Sequence, residues 1–192
     1  MMSDTERRML LRLARESIRC RLLDVRLRPP ERESPGDEHL WEPRGVFVTL
    51  TIQGELRGCI GTILPVSPLI EAVIRNAQAA AFEDPRFEPL EEGELADVNI
   101  ELSLLSVPLE QEFSSVAELR AALQKEKPGV ILRRGLLQAT FLPQVWEELP
   151  EAEGFLTALM RKGGLPYDSL ERKDCHVATY TAEAFSERDY SA

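Results

Sequence analysis

The chain is short of the residues on which several common chemistries depend. Its 192 residues include two histidines and three cysteines, and 6% of them are aromatic. With two histidines, the chain offers few candidates for histidine-based acid–base catalysis. Its three widely spaced cysteines do not form a disulfide framework. Adjacent Cys175 and His176 would point to opposite faces of a strand, which makes a poor metal site. The sequence therefore gives no reason to expect a bound metal or any other cofactor.

Long apolar runs and an excess of positive charge are also missing. No apolar run approaches the roughly 20 residues that span a membrane, and the polar, acidic start does not resemble a signal peptide. The formal net charge is −10 at pH 7. This charge opposes binding to nucleic acid or anionic lipid, because both partners would be negative. We expect a cytoplasmic protein that does not bind a membrane and does not favour nucleic acid.

Apolar residues are present in a share that can form a continuous core, 43% of the chain. Ser3 with Glu6 has the spacing of a capping box, which predicts a helix that runs to about Leu22. Ser67 is expected to cap a second helix. Helical start and stop signals place the later helices at residues 68–82, 115–124 and 151–162.

Alternating apolar residues predict several β-strands. Val46–Ile52 alternates in this way, and the Gln53-Gly54 turn would return the chain as a strand over 56–63. Residues 27–43 carry prolines and five acidic residues, which is typical of an exposed connector. Too little chain precedes this connector to fold alone, so we expect one domain over 1–192. The other predicted strands are 98–105, 129–133, 136–141 and 175–182.

The least ordinary local chemistry surrounds Cys59, which stands between Gly58 and Gly61 in the second predicted strand. Glycines expose the backbone and let a ligand come close. Arg57 would lie on the same face as Cys59, about 7 Å along the strand, where a guanidinium stabilises a thiolate nucleophile or ligand. The alternative is that Cys59 is a small buried residue where strands pack tightly, and that the glycines make room for this packing.

Three other charged residues are candidates for a site. Asp84 and Arg86 flank Pro85 in a predicted turn, where they either orient a ligand or, as we prefer, brace the turn. Glu101 lies in mid-strand, opposite the apolar face. If its face closes over a cleft, burial would raise the pKa of the carboxyl and make Glu101 a candidate general base. If that face is exposed to solvent, Glu101 is an ordinary surface residue.

Several short blocks of the sequence stand out because they occur together. They are residues 47–50 with 56–62, 76–82 with 84–87, 101–106, 140–146 and 161–166. Together with the other blocks, the Leu-Arg-Gly-Cys-Ile-Gly block at 56–61 is highly specific for one protein family. The set resembles the AMMECR family over about residues 5 to 187. The bacterial and archaeal members of that family are called AmmeMemoRadiSam system protein A.

The resemblance implies an α+β fold, with a mixed or antiparallel sheet flanked by helices. It also implies a larger and a smaller lobe with a cleft between them, the last lobe elements covering roughly residues 108–165. Gln144 and Lys162 would then reach from the second lobe toward Cys59. Two residues depart from the family pattern, since Gly163 stands where alanine is expected and Leu170 where tryptophan is expected.

The resemblance brings partners but no established reaction. The family name records association with a Memo-type protein and a radical S-adenosylmethionine (SAM) enzyme. The expected function is an enzyme or enzyme-accessory subunit that uses Cys59 and Glu101 on a small molecule or modified residue. The alternative is a non-catalytic adaptor whose cleft binds a peptide or a partner protein.

Overall fold

The structure, a computed structural model, describes residues 2–28, 30 and 38–190. Its helices are α1 (Asp4–Leu22), α2 (Leu69–Phe82), α3 (Val116–Glu126), α4 (Val145–Glu148) and α5 (Ala152–Lys162). Its strands are β1 (Val46–Ile52), β2 (Glu55–Thr62), β3 (Val98–Leu105), β4 (Leu109–Glu110), β5 (Gly129–Arg134), β6 (Leu137–Phe141), β7 (Cys175–Tyr180) and β8 (Ala182–Ser186). No helix in the described ranges is long and apolar enough to cross a bilayer.

The strands form two four-stranded antiparallel sheets, ordered β2-β1-β3-β8 and β4-β7-β5-β6. The expected α+β class is therefore confirmed. The chain divides into two compact units. The first unit joins the residues up to Leu105 with those from Glu183 onward, and the second covers Ser106–Ala182. The strand predicted over 175–182 is present as β7, but it ends at Tyr180, and Ala182 begins β8 of the other sheet.

The first helix of this unit has a side-chain cap at its start, and the second has none. The Ser3–Glu6 capping box of α1 is confirmed, with each side chain bonded to the other's backbone. Helix α2 begins at Leu69 with Pro68 as its cap residue. The prediction that Ser67 caps this helix is wrong, because its hydroxyl accepts a hydrogen bond from Arg75 instead.

The core of the first unit lies between α1, α2 and one face of the first sheet. Alternate residues of β1 and β3 point into this core and are fully buried: Val46, Val48, Leu50, Ile100, Leu102 and Leu104. The opposite face carries the alternating polar residues, among them Thr49, Cys59 and Glu101. We call it the polar face of the first sheet. Of the predicted connector, residues 29 and 31–37 lie outside the described part, and Leu40 is buried in the core rather than exposed.

The second unit has its own core, centred on Phe155. Trp146 stacks on Phe155 at 4.0 Å between ring centroids. Gly163 is accounted for here, because a Cβ would lie 2.4 Å from Leu165 Cδ1 and 2.8 Å from the Ala139 Cβ. Leu170, the other departure from the family pattern, is buried in the same cluster.

Local details of the second unit differ from the sequence expectations by about one residue. Ser115 and Glu118 have the spacing of a capping box. Ser115 caps α3 by accepting from the Glu118 amide, but the Glu118 carboxylate accepts from the Ser114 amide, so one half of the box forms. The β5–β6 turn consists of Gly135 and Leu136, one residue later than predicted, since Arg134 pairs with Leu137. Gly135 has a φ of +60°, a conformation that favours glycine.

Candidate functional site

Two of the predicted site residues lie on either side of Thr49, on the polar face of the first sheet. In the strand register, Thr49 of β1 faces Cys59 of β2 and Glu101 of β3. Residues that face one another across strands point to the same side of the sheet. The Thr49 hydroxyl donates a hydrogen bond to the Cys59 Sγ over 3.4 Å. All three residues are half-buried, so they form one row across three strands.

Asp84 and Arg86 bind the backbone of Cys59 at the edge of the sheet. Strand β2 is an edge strand, so the peptide groups that point away from β1 need other partners. The Cys59 amide donates to Asp84 Oδ2 over 2.8 Å, and Arg86 Nη2 donates to the Cys59 carbonyl over 3.4 Å. The two side chains thus occupy the place of a further strand, which agrees with the bracing role that we preferred.

Asp84 is a buried carboxylate held by several hydrogen bonds. Its side chain is 2% exposed and pairs with Arg86 at 2.7 Å. The Arg86 guanidinium, together with the amides of Cys59 and Arg86, holds the pKa of this carboxyl well below its usual range although burial opposes that shift. Asp84 is therefore ionised near neutral pH and already bonded to the protein.

Arg57 does not act on the Cys59 thiol through any described contact. The β1–β2 register shifts between Leu50 and Thr51, which pair with Gly58 and Leu56 and leave Arg57 as the extra residue of a bulge. Its Nε and Nη2 donate to the Glu94 carboxylate at 2.8 and 2.9 Å, and Nη1 donates to the Glu88 carbonyl. The expected alternation assumed a regular strand, and the bulge is why it fails.

The glycines next to Cys59 make room for the protein itself. A Cβ on Gly58 would lie 2.1 Å from the carbonyl oxygen of Ala80 in α2. A Cβ on Gly61 would lie 2.3 Å from the Phe47 ring. These contacts support the alternative in which the glycines make room in a tight strand crossing, and the approach of a ligand to Gly58 and Gly61 stays a prediction.

Unlike Glu94 and Asp84, Glu101 has no basic partner among the described residues. Glu94 pairs with Arg57 and Asp84 with Arg86, whereas no side chain in the described ranges donates a hydrogen bond to the Glu101 carboxylate. Burial and, to a smaller extent, the negative charge of Asp189 raise the pKa of Glu101. A half-buried carboxyl with a raised pKa is a common property of catalytic acids and bases.

Gln144 and Lys162 belong to the second unit. Lys162 ends α5, and its Nζ donates to the Thr140 carbonyl over 3.0 Å and lies 5.0 Å from the centre of the Phe141 ring. Gln144 is exposed and precedes α4. That these two residues reach toward Cys59 stays a prediction.

Sequence reasoning missed Thr49 as a member of the row. Its place between two apolar residues of β1 was a usable signal, because it predicts a side chain on the polar face. The strand register, which no sequence pattern specified, is what puts Thr49 beside both Cys59 and Glu101. No group of three or more His, Cys, Asp or Glu side chains that could hold a metal ion occurs among the described residues.

Proteins of known sequence or structure resemble this chain along most of its length. The AMMECR1 family model matches residues 11–185. A protein of Thermococcus onnurineus (strain NA1) is 41% identical over 189 residues, covering 93% of this chain and 88% of the relative. A protein of Methanothermobacter thermautotrophicus is 39% identical over 188 residues, covering 97% and 96%. The crystal structure of the uncharacterised protein PH0010 from Pyrococcus horikoshii matches with a TM-score of 0.81 at 36% identity, over 93% of this chain and 89% of that one. The chain belongs to the AMMECR1 family.

Proposed function

We propose that this protein is an enzyme, or the accessory subunit of one, that handles its substrate on the polar face of the first sheet. The observation that carries the proposal is the row formed by Cys59, Thr49 and Glu101 in the register of three strands. A nucleophilic thiol and a carboxyl with a raised pKa are the two groups that covalent acid–base chemistry needs. Both lie on rigid strands, which hold such groups in fixed positions.

The roles of the three residues follow from their spacing. Glu101 is about 10 Å from Cys59 between backbones, two strand spacings, so it does not take the thiol proton directly. It exchanges a proton with a substrate that lies across Thr49. The Cys59 sulfur is then the nucleophile or ligand, and the Thr49 hydroxyl, bonded to it at 3.4 Å, fixes the orientation of the thiol. The substrate class that fits is a small molecule or a modified residue with an electrophilic carbon.

The alternative function is a non-catalytic adaptor that uses the same face to bind a peptide or partner protein. One observation favours it. Arg57, Asp84 and Arg86, which were expected to serve a ligand, all bind other groups of the protein. Because these charged residues are already paired within the protein, the face would recognise a partner by its shape rather than by its charge. The partners that the family resemblance implies, a Memo-type protein and a radical SAM enzyme, suit either function.

Replacing Cys59 by serine separates the two functions, because serine keeps the size and polarity but not the readily ionised thiol. We expect Cys59→Ser to fold, to keep binding a Memo-type or radical SAM partner in a pull-down, and to lose pathway activity in a complementation assay. Cys175→Ser is the matched control and should keep both.

Each other result has a definite meaning. Full pathway activity in Cys59→Ser would reject the thiol chemistry and favour the adaptor. A variant that melts far below the parent protein would identify Cys59 as a packing residue. Glu101→Gln should lose activity with partner binding intact, and unchanged activity would remove Glu101 from the mechanism.

A further inference from the structure

A hollow of the first unit lies beside α1 and the short 3-10 helix Glu187–Tyr190. Its volume is about 350 Å³, and it is lined by Thr5, Arg8, Leu11, Arg12, Glu187 and Tyr190. Cavities that bind small molecules typically start at roughly 300 Å³. The hollow is therefore large enough for a small organic ligand.

The charges of α1 single out this hollow. Four arginines of the helix pair with carboxylates at 2.6–2.7 Å: Arg7 with Glu183, Arg15 with Glu187, Arg19 with Glu16 and Arg21 with Glu83. Arg8 and Arg12 have no carboxylate partner in the described ranges. The chain has 33 acidic and 23 basic residues, so acidic partners are in excess. The two arginines left without one are the two that line the hollow.

The positions of these arginines suit an anion between them. Arg8 and Arg12 are four residues apart, so their side chains lie on one face of α1, where like charges repel each other. The Arg8 guanidinium lies 4.6 Å from the centre of the Tyr190 ring, which itself packs against the core. An anion bound by both guanidinium groups would remove the repulsion.

Glu187 also lines the hollow but does not cancel this positive charge. Its carboxylate accepts two hydrogen bonds of 2.6 Å from Arg15 and one of 2.9 Å from the Ile100 amide. Because Arg15 compensates Glu187, Arg8 and Arg12 leave the lining net positive in a protein whose overall charge is negative.

We propose that this hollow binds a small organic phosphate monoester. Arg8 and Arg12 bind the phosphoryl group, since guanidinium groups match phosphate oxygens in geometry and charge. Leu11 and Tyr190 contact the organic part. This site uses none of the residues of the Cys59 row, and it does not depend on the function proposed for that row.

Calorimetric titration with phenyl phosphate, with phenol and inorganic phosphate in parallel, tests the proposal. We expect phenyl phosphate to saturate one site, and Arg8→Gln and Arg12→Gln each to weaken binding by about tenfold or more. Arg19→Gln is the matched control, with the same charge change on the same helix but outside the hollow, and should bind like the parent protein. Phenol should not bind, and inorganic phosphate should bind more weakly with the same dependence on the two arginines.

Several results would overturn the proposal. These are no saturable binding of phenyl phosphate by the parent protein, undiminished binding by Arg12→Gln, or an equal loss in Arg19→Gln, which would indicate a general charge effect. Equal affinity for inorganic phosphate and phenyl phosphate would reject the contact of Leu11 and Tyr190 with an organic group.

Discussion

The three cysteines differ in the surroundings of their thiols. Cys20 is buried beside the Glu16 carboxylate, and burial, together with that negative neighbour, raises the pKa of its thiol. Burial also raises the pKa of Cys175. Cys59 is half-buried and bonded to a neutral hydroxyl. Since the thiolate is the reactive form, burial suppresses the reactivity of the Cys20 and Cys175 thiols.

We therefore predict that iodoacetamide alkylates Cys59 before Cys20 and Cys175 near neutral pH, as measured by mass spectrometry of tryptic peptides over time. Arg57→Ala should change this rate little, because the guanidinium is bound to Glu94. If Arg57→Ala markedly slowed the alkylation of Cys59, Arg57 would act on the thiol after all. Equal rates for all three cysteines in the folded protein would contradict an accessible functional thiol.

Glu101 should make stability depend on pH in a direction opposite to that of a paired carboxylate. Its pKa is raised in the folded protein, so the folded state holds the proton more tightly than the unfolded chain does. The stability that Glu101 contributes is present below its ordinary pKa of 4.5 and is lost as the pH rises through the folded value. Above the folded value, the ionised carboxylate lowers the stability of the folded protein.

Glu101→Gln is accordingly predicted to raise the free energy of unfolding at pH 7 and to leave it nearly unchanged at pH 4, as measured by urea unfolding. Glu94→Gln is the control of opposite sign. Arg57 lowers the pKa of Glu94, so that variant should be less stable than the parent protein at pH 7. A Glu101→Gln variant destabilised at pH 7 would show that the carboxylate has a stabilising partner.

Among the structural elements, those set by local signals were predictable and those set by long-range pairing were not. The capping box of α1 and the alternation of β1 depend on residues a few positions apart, and both were found. The bulge that turns Arg57 toward Glu94 depends on how β2 meets β1, and Glu94 is 37 positions away in sequence. Strand β8 joins a sheet whose other strands end by Leu105. Nothing in its own sequence specifies that pairing.

The contact of α2 with β2 gives a prediction at the scale of elements. An alanine at Gly58 would place its Cβ 2.1 Å from the Ala80 carbonyl oxygen, and neither backbone can move without disturbing the core. We expect Gly58→Ala to destabilise the protein by about 1–3 kcal/mol, the usual cost of overpacking, in urea unfolding. Gly93→Ala is the control, because no atom lies within 4 Å of the added Cβ there. Equal stability of the two variants would mean that α2 adjusts freely.

At the scale of the whole molecule, the first unit depends on a segment that returns from the end of the chain. Arg7 pairs with Glu183 and Arg15 with Glu187, each at 2.6 Å. Glu187 also accepts from the Ile100 amide of β3. The second unit needs no such return, since Ser106–Ala182 is continuous and contains its own sheet and aromatic core.

This asymmetry predicts that residues 106–182 fold when expressed alone, whereas a chain truncated after Ala182 has a destabilised first unit. Trp146, stacked on Phe155 at 4.0 Å, reports on the second unit, and Trp41 packs against the core of the first. In the isolated 106–182 segment, near-ultraviolet circular dichroism from the buried Trp146 should persist and melt cooperatively. In the truncated chain, with Trp146 replaced by phenylalanine, Trp41 fluorescence should shift to the red at a lower urea concentration than in the full-length control. If the 106–182 segment showed no cooperative transition, its core would be incomplete without the first unit. If the truncated chain were as stable as the control, the returning segment would contribute little to stability.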